Sequence, residues 1–369
     1  MSDHLVYYDC NIVPHKINAA LAGIRTFSYF FKMYGTGVLF VDRTETIRTP
    51  VRVKSLFPMP AFRPIKKTYG EICDERAKEL LTRAEKMGVT IYVFWSGGID
   101  STCVLVSLFK NATPEQKKNI VVILSEESIT EYPDFYRDHI HGKIRVEPGI
   151  MAPYFLFGGN HLIVNGESND QLFGSDMCGK FINMYGESVI QATYNRDTFF
   201  STWNALTGDG AITNFYIDMF EKLAAVAPIP LITNHDRLWW INFCLKWQLV
   251  HMFILSYAGP RNIKKITPEY FGTHYAPFFA TEEFQLWSMN NLDKRIKGTW
   301  KSYKWIVKDF IYEYTKDAEY RDNKIKHASR YFLLLYQRPY TQITEDMGAE
   351  GFKRDHSLAA YHDPVNDFI

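Results

Sequence analysis

The sequence predicts an α/β protein in which a parallel sheet is flanked by helices, with a helical C-terminal region and a small, partly β N-terminal module. Three observations predict it. Continuous apolar runs, "TIYVFW", "NIVVILS" and "HLIVNG", recur between residues 90 and 166, and a run apolar at every position marks a strand covered on both faces. Segments of helical period lie between these runs, and strand–helix alternation is the pattern of a parallel sheet. The chain has 369 residues, 46% hydrophobic and 22% charged, enough for a sizeable core in one large domain or two.

Residues 1–68 hold two segments of strand character, "GTGVLFVD" and "TPVRVKSLF", then the Pro-punctuated linker "FPMPAFRP". From Tyr69 to Met87, Ile72, Ala77, Leu80, Leu81 and Ala84 share one helical stripe, and Gly88 ends the helix. "TIYVFW" is the first buried strand. The segment Asp100–Phe109 sets Val104, Leu105, Leu108 and Phe109 on one face of a helix. "NIVVILS" is the second strand, "YPDFYRDHI" a helix, "KIRVE" a short third strand and "HLIVNG" a fourth. Residues 69–345 read as one domain, richer in helix and aromatics from about 180 onward. Residues 346–369 read as a polar tail.

Bulk properties exclude several classes. A net charge of +1 argues against a broad nucleic-acid surface. Five scattered cysteines, Cys10, Cys73, Cys103, Cys178 and Cys244, form no C-x-x-C pair and no zinc spacing, and read as reduced thiols in a cytoplasmic protein. The start "MSDHLVYYDC" carries no secretory pattern. The apolar run from Trp239 to Tyr257 contains Lys246, Gln248 and His251, which argue against a membrane span. No Ser-His-Asp signature is present. Aromatic residues make up 16%, which suits either aromatic-lined pockets or a dense core. The oligomeric state is left open, a homo-oligomer included.

Between the first strand and the next helix lies Ser96-Gly97-Gly98-Ile99-Asp100-Ser101-Thr102. Ligands of parallel sheets gather at the C-terminal ends of the strands. Glycines there let backbone N–H groups approach an anion, and the helix start adds its positive end. Ser96, Ser101 and Thr102 supply hydroxyl donors. Asp100 beside phosphate makes sense with Mg²⁺ between the two. The loop is neither G-x-x-x-x-G-K-[ST] nor G-x-G-x-x-G; the bland alternative is a Gly-Gly turn with an acidic helix cap.

This loop resembles the S-G-G-x-D-S PP-loop of the ATP pyrophosphatases. A second segment, "IVNGESNDQLFGSD", resembles the G-E-G-x-D-E-L-F-G-G-Y segment of asparagine synthetases and β-lactam synthetases. Gly166, Glu167, Asp170, Leu172, Phe173 and Gly174 match; Ser168 replaces a Gly, Gln171 a Glu, and Ser175-Asp176 the Gly-Tyr end. The resemblance implies a five-stranded sheet of the adenine-nucleotide α-hydrolase (HUP) type. It implies ATP held by Ser96–Thr102 and Gly166, Mg²⁺ held by Asp100 and Asp170, and adenine read by backbone groups at Ile123, Leu124 and Ser125. Glu167 then accepts a proton from an attacking amine; alone, Glu167 and Asp170 also read as helix-start caps.

Downstream, "YAPFFATEEF" is similar to the family's R-x-P-F-L-D segment through Pro277 and Phe278, with His274 set against its Arg and Ala280 against its Asp. Asp236-Arg237 resembles an upstream D-R pair. "KSYKWIVKDF" resembles a K-x-x-L-R helix through Lys304, and "EYRDNKIK" an R-x-K segment through Arg321 and Lys324, with Lys326 close behind. These lysines would neutralise a leaving pyrophosphate, or else form a solvated basic face. Ser2 stands where the family's glutaminase cysteine would be, and too few residues precede the loop for a glutaminase domain.

The expected activity is therefore an Mg²⁺- and ATP-dependent ligase. It adenylates a carboxylate (or amide-like oxygen) and forms an amide with an amine or ammonia supplied from elsewhere, releasing AMP and pyrophosphate. The alternatives are a PP-loop enzyme that modifies a nucleotide or nucleobase, and an ATP-binding protein without catalysis.

Overall fold

Thr68 and Glu71 start the first helix. The Thr68 hydroxyl accepts the Glu71 N–H at 3.2 Å, and the Glu71 carboxylate accepts the Thr68 N–H at 2.8 Å, a reciprocal cap. Gly88, at φ +65°, ends it in the left-handed conformation. The computed structural model describes residues 41–47, 55–149, 152–175, 177–255, 258, 262 and 265–325. Most of the N-terminal module, Cys10, Asp176, Lys326 and the tail from 346 lie outside the described residues.

Along the chain the main elements are α1 (Tyr69–Met87), β1 (Ile91–Phe94), α2 (Ile99–Asn111), β2 (Ile120–Leu124) and α3 (Glu126–Glu131). Then come β3 (Arg145–Pro148), β4 (Leu162–Asn165), α4 (Asn169–Phe173), α5 (Arg196–Thr207), α6 (Gly210–Ala225), α7 (Asn234–Leu245) and α8 (Trp247–Leu255). The last are β5 (Tyr275–Pro277), α9 (Glu282–Asn290), α10 (Trp305–Thr315) and α11 (Ala318–Asn323), with further short helices and turns between, among them Cys178–Tyr185. The chain groups into two compact units. Among the described residues, one comprises 67–167, 258–279 and 305–325; the other comprises 41–66, 168–255 and 280–304.

The first unit carries the sheet. Its five strands are all parallel, in the order β3-β2-β1-β4-β5, so the α/β sheet flanked by helices is as the alternation predicts. β2 is buried at all five positions and β4 at all four; each such aliphatic side chain contributes roughly 1.5–3 kcal/mol. α2 is buried on most of its surface and packs against α1 and α10, which explains why its apolar residues are not confined to one stripe. The expected helix "YPDFYRDHI" is a short helix, Pro133–Phe135, running into a wide π-type turn at Tyr136–Ile140. β5 falls in the "YAPFF" segment, three residues beside β4. After β3 the chain crosses back over β1 to β4, so the sheet's switch point lies between β1 and β4.

The second unit is helical. Trp203, Trp239, Trp240, Trp247 and Trp287 are each no more than 2% exposed, so much of the aromatic content packs its core. The long apolar run does not form one helix. It breaks at Lys246 into α7 and α8, and among the described residues no helix is long and apolar enough to cross a membrane.

Candidate functional site

The loop predicted to cradle phosphate sits at the switch point of the sheet unit. β1 ends at Phe94, and Trp95 is still held by its N–H to the Ile123 carbonyl at 2.8 Å. The Trp95 indole N–H donates to Thr102 Oγ1 at 3.0 Å, buried, which ties the strand end to the first turn of α2. The loop then closes on itself. Ser101 Oγ accepts the Ser96 N–H at 3.0 Å and lies 3.1 Å from Ser96 Oγ, and Ser96 Oγ accepts the Gly98 N–H at 3.3 Å.

Two glycines are needed by geometry. Gly97 has φ +77°, and a Cβ there would fall 2.3 Å from the Ser128 carbonyl oxygen and 2.8 Å from Glu131 Cβ. Gly166, after β4, packs onto the start of α2: its Cβ would lie 3.0 Å from the Asp100 carbonyl carbon and from the Ser101 nitrogen. α2 begins at Gly98 without a side-chain cap, and the N–H groups of a first helical turn have no carbonyl partner within the helix.

The end of β4 is fixed from the side. Asn165 donates to the Tyr275 hydroxyl at 3.0 Å and accepts the Glu167 N–H at 3.2 Å. Burial first, with the Glu167 charge adding, holds the Tyr275 phenol well above its ordinary range. Tyr275, not His274, stands two residues before Pro277, at the Arg position of the segment it resembles. His274 Nδ1 lies 3.0 Å from the His161 carbonyl oxygen, at the N-terminal edge of β4 and β5, the end of the sheet away from the loop.

Of the backbone groups expected to read adenine, the Ile123 carbonyl accepts the Trp95 N–H, and the Ser125 N–H donates to Ser128 Oγ at 3.1 Å. The Leu124 carbonyl lies against Gly149, whose Cβ would be 3.0 Å from its oxygen.

Lys324, which caps the end of α11, belongs to this unit. Its Nζ lies 2.8 Å from Glu131 Oε1, with side chains only 10% and 16% exposed. Lys308 Nζ donates to the Lys324 carbonyl at 3.1 Å. The Glu131 carboxylate faces the loop, 3.5 Å from where a Cβ on Gly98 would stand. Sequence reasoning missed Glu131. Its place just past the C-terminal end of β2, at the end of "EESITE", was the available signal.

Asp170 and Lys304 belong to the helical unit, where they pair with each other: Lys304 Nζ lies 2.6 Å from Asp170 Oδ1. Ser168, φ +75°, precedes α4, and its hydroxyl lies 2.8 Å from His251 Nε2. Burial, with Arg43 adding, pushes His251 down to about 3. Gly174 closes α4 against Trp239, where a Cβ would be 2.6 Å from Trp239 Cβ. Asp236 completes the cap of α7, accepting the Thr233 N–H at 2.8 Å. Arg237 pairs with Glu221 at 3.2 Å and lies over the Tyr194 ring at 4.2 Å. Cys178 is buried, its thiol donating to the Gly174 carbonyl at 3.3 Å. Among the described residues no three His, Cys, Asp or Glu gather to hold a metal ion.

No protein-family model, no curated protein and no solved structure matches this chain.

Proposed function

We propose that the sheet unit is the nucleotide site of an ATP pyrophosphatase of the asparagine-synthetase-like ligase type, on a sheet of the HUP kind. The observation that carries the reading is the Ser96–Thr102 turn at the switch point, with Gly166 packed against its Asp100 end. In such sheets the crevice outside the strand ends is where ligands bind. The turn offers an anion hydroxyls, a glycine-bared backbone and a helix start.

Asp100 suits Mg²⁺. It offers hard oxygen donors, and an ion that keeps waters and substrate phosphates in most of its shell needs only one or two carboxylates from the protein. When bound, the ion would neutralise charge on the phosphates.

In the proposed reaction a substrate carboxylate (or amide-like) oxygen attacks the α-phosphorus. The bond to the bridging oxygen breaks, and pyrophosphate leaves with the electron pair. The Ser96 and Ser101 hydroxyls and the first-turn N–H groups of α2 hold the phosphates, and Lys324 takes up the charge that builds on the leaving group. An amine or ammonia then attacks the acyl carbon, and AMP leaves with the C–O electron pair. Glu167, beside the fixed Asn165, accepts the amine proton.

A second reading is a protein that binds ATP without turnover. Both lysines assigned to pyrophosphate are already paired with acids, Lys324 with Glu131 and Lys304 with Asp170, and this favours it. Mass spectrometry of products from Mg²⁺-ATP with a panel of carboxylic acids, nucleotides and ammonium separates the readings. AMP plus pyrophosphate is the expected pair. ADP plus phosphate overturns the proposal, and bound ATP without products across the panel favours the second reading.

A further inference from the structure

Glu131 is an acid in a place meant for anions. The tight approach of Gly97 to Ser128 and Glu131 locks the loop against α3, and the Glu131 carboxylate is set toward Gly98. A bare carboxylate there would repel a polyphosphate, since like charges a few ångströms apart cost several kcal/mol at the effective dielectric of a partly buried site. The structure answers with Lys324. Its ammonium is 2.8 Å from Glu131 Oε1, in a pair mostly hidden from water. The carbonyl of the same residue is held by Lys308 at 3.1 Å, which fixes the backbone from which the side chain swings.

A lysine is a compact charge on a flexible four-carbon stem, so its head can change partner while its backbone stays still. A partly buried ammonium also needs an anion at all times, because removing one partner of such a pair leaves an uncompensated charge. One cation beside the loop thus serves two anions, Glu131 and the phosphates, which compete for it.

Resting on the ATP-pyrophosphatase reading of the loop, we infer that Glu131 is a built-in competitor for Lys324. It holds the ammonium in place before nucleotide binds, yields it to the β- and γ-phosphates, and takes it back as pyrophosphate leaves. Glu131 is therefore a positioning residue that sets how tightly the leaving group is retained, and it touches neither the reacting phosphorus nor the amine. It lowers affinity for pyrophosphate in order to speed its release.

The test is equilibrium binding of Mg²⁺-pyrophosphate and Mg²⁺-ATP to the full chain and to Glu131→Gln, Lys324→Met and the double variant, with thermal melts to establish folding. Glu131→Gln keeps the side-chain shape and removes the competing charge. It is expected to bind pyrophosphate about tenfold tighter, the scale of one close charge coupling. With an accepted substrate it should show a burst of AMP and a lower kcat. Lys324→Met is expected to bind about tenfold more weakly, and the gain from Glu131→Gln should vanish in the double variant, which a mutant cycle reads directly. Glu131→Asp, with the charge restored, should return affinity toward that of the parent chain.

Unchanged or weaker pyrophosphate binding in a folded Glu131→Gln overturns the inference and leaves the ligase reading standing, as does a gain that survives Lys324→Met. If Glu131→Gln does not fold, Glu131→Ala, which also removes the competing charge, takes its place: tighter pyrophosphate binding supports competition, and unchanged or weaker binding overturns it. A parent chain that binds neither Mg²⁺-ATP nor Mg²⁺-pyrophosphate overturns the ligase reading, and this inference with it.

Discussion

Lys304 Nζ lies 2.6 Å from Asp170 Oδ1, and the lysine side chain is fully buried while the carboxylate keeps 29% of its exposure. The two ends of this pair are not equivalent. Loss of Asp170 leaves a buried ammonium without its acid, whereas loss of Lys304 leaves a carboxylate that water still reaches. Asp170→Ala is expected to cost about 3–5 kcal/mol of folding stability and Lys304→Met roughly half as much. Urea unfolding of both variants checks this, and equal costs would show that burial does not set the asymmetry.

Gly97 and Gly88 provide a controlled comparison. Both are left-handed, at φ +77° and +65°, but a Cβ on Gly88 meets nothing within 4 Å, while one on Gly97 runs into Ser128 and Glu131. Gly88→Ala should cost about 1–2 kcal/mol from backbone strain alone. Gly97→Ala should cost more and also abolish the proposed nucleotide binding, because the loop must leave α3 to make room. Denaturation curves and ATP titration of the two variants provide the readout.

At position 168 a serine holds a left-handed backbone, φ +75°, where the segment it resembles has glycine. Ser168→Gly relieves about 1–2 kcal/mol of strain, but it removes the hydroxyl 2.8 Å from the buried His251 Nε2, a loss of about 1–3 kcal/mol. Ser168→Ala loses the hydroxyl and keeps the strain. The alanine variant should therefore be the less stable of the two by about 1–2 kcal/mol, as measured by chemical denaturation.

Two buried histidines make stability depend on pH. His251 is pushed down to about 3 by burial, with Arg43 adding; its ring also lies against Phe57. His235 is pushed down to about 4 by burial first and then by Arg295, opposed by Asp236 and by bonds to the Gly174 and Phe173 backbone. Both stay neutral in the fold but protonate near pH 6.5 when unfolded, so the unfolded state binds more protons below that pH. Stability should fall from about pH 6.5 toward pH 4 by about 1.4 kcal/mol per unit for each histidine. His251→Gln should flatten the slope by about one such increment. Melting temperatures across this window provide the check.

For the proposed reaction, Glu167→Gln should leave Mg²⁺-ATP binding intact and lower amide formation about 10²-fold, the lower range for loss of a general base. Adenylation measured by pyrophosphate exchange should persist. A parallel loss of binding and exchange would place Glu167 in the structure of the β4 end instead.

How much was legible follows from the range of each signal. β1 and β4 announce themselves locally as apolar runs bounded by glycine, β2 as an apolar run between polar segments, and the Ser96–Thr102 turn by its paired glycines. β5 does not: three residues ending in Pro277 carry no period, and only pairing with β4 makes them a strand. The break of the apolar run at Lys246 was hinted at by that residue, though not its place as the end of α7.

By itself, the sequence determined the parallel α/β class, the helix over Tyr69–Met87 with its stop at Gly88, and the glycine loop between β1 and α2. These depend on hydrophobic period and on backbone chemistry, which act over a few residues. Only the tertiary structure decided which charges meet. Asp170 and Lys304 are 134 positions apart, and Glu131 and Lys324 are 193, so no local pattern encodes either pair. An acid after a strand and a lysine near a helix end look like solvated charges until the fold buries them together. Burial then makes each the other's required counter-ion.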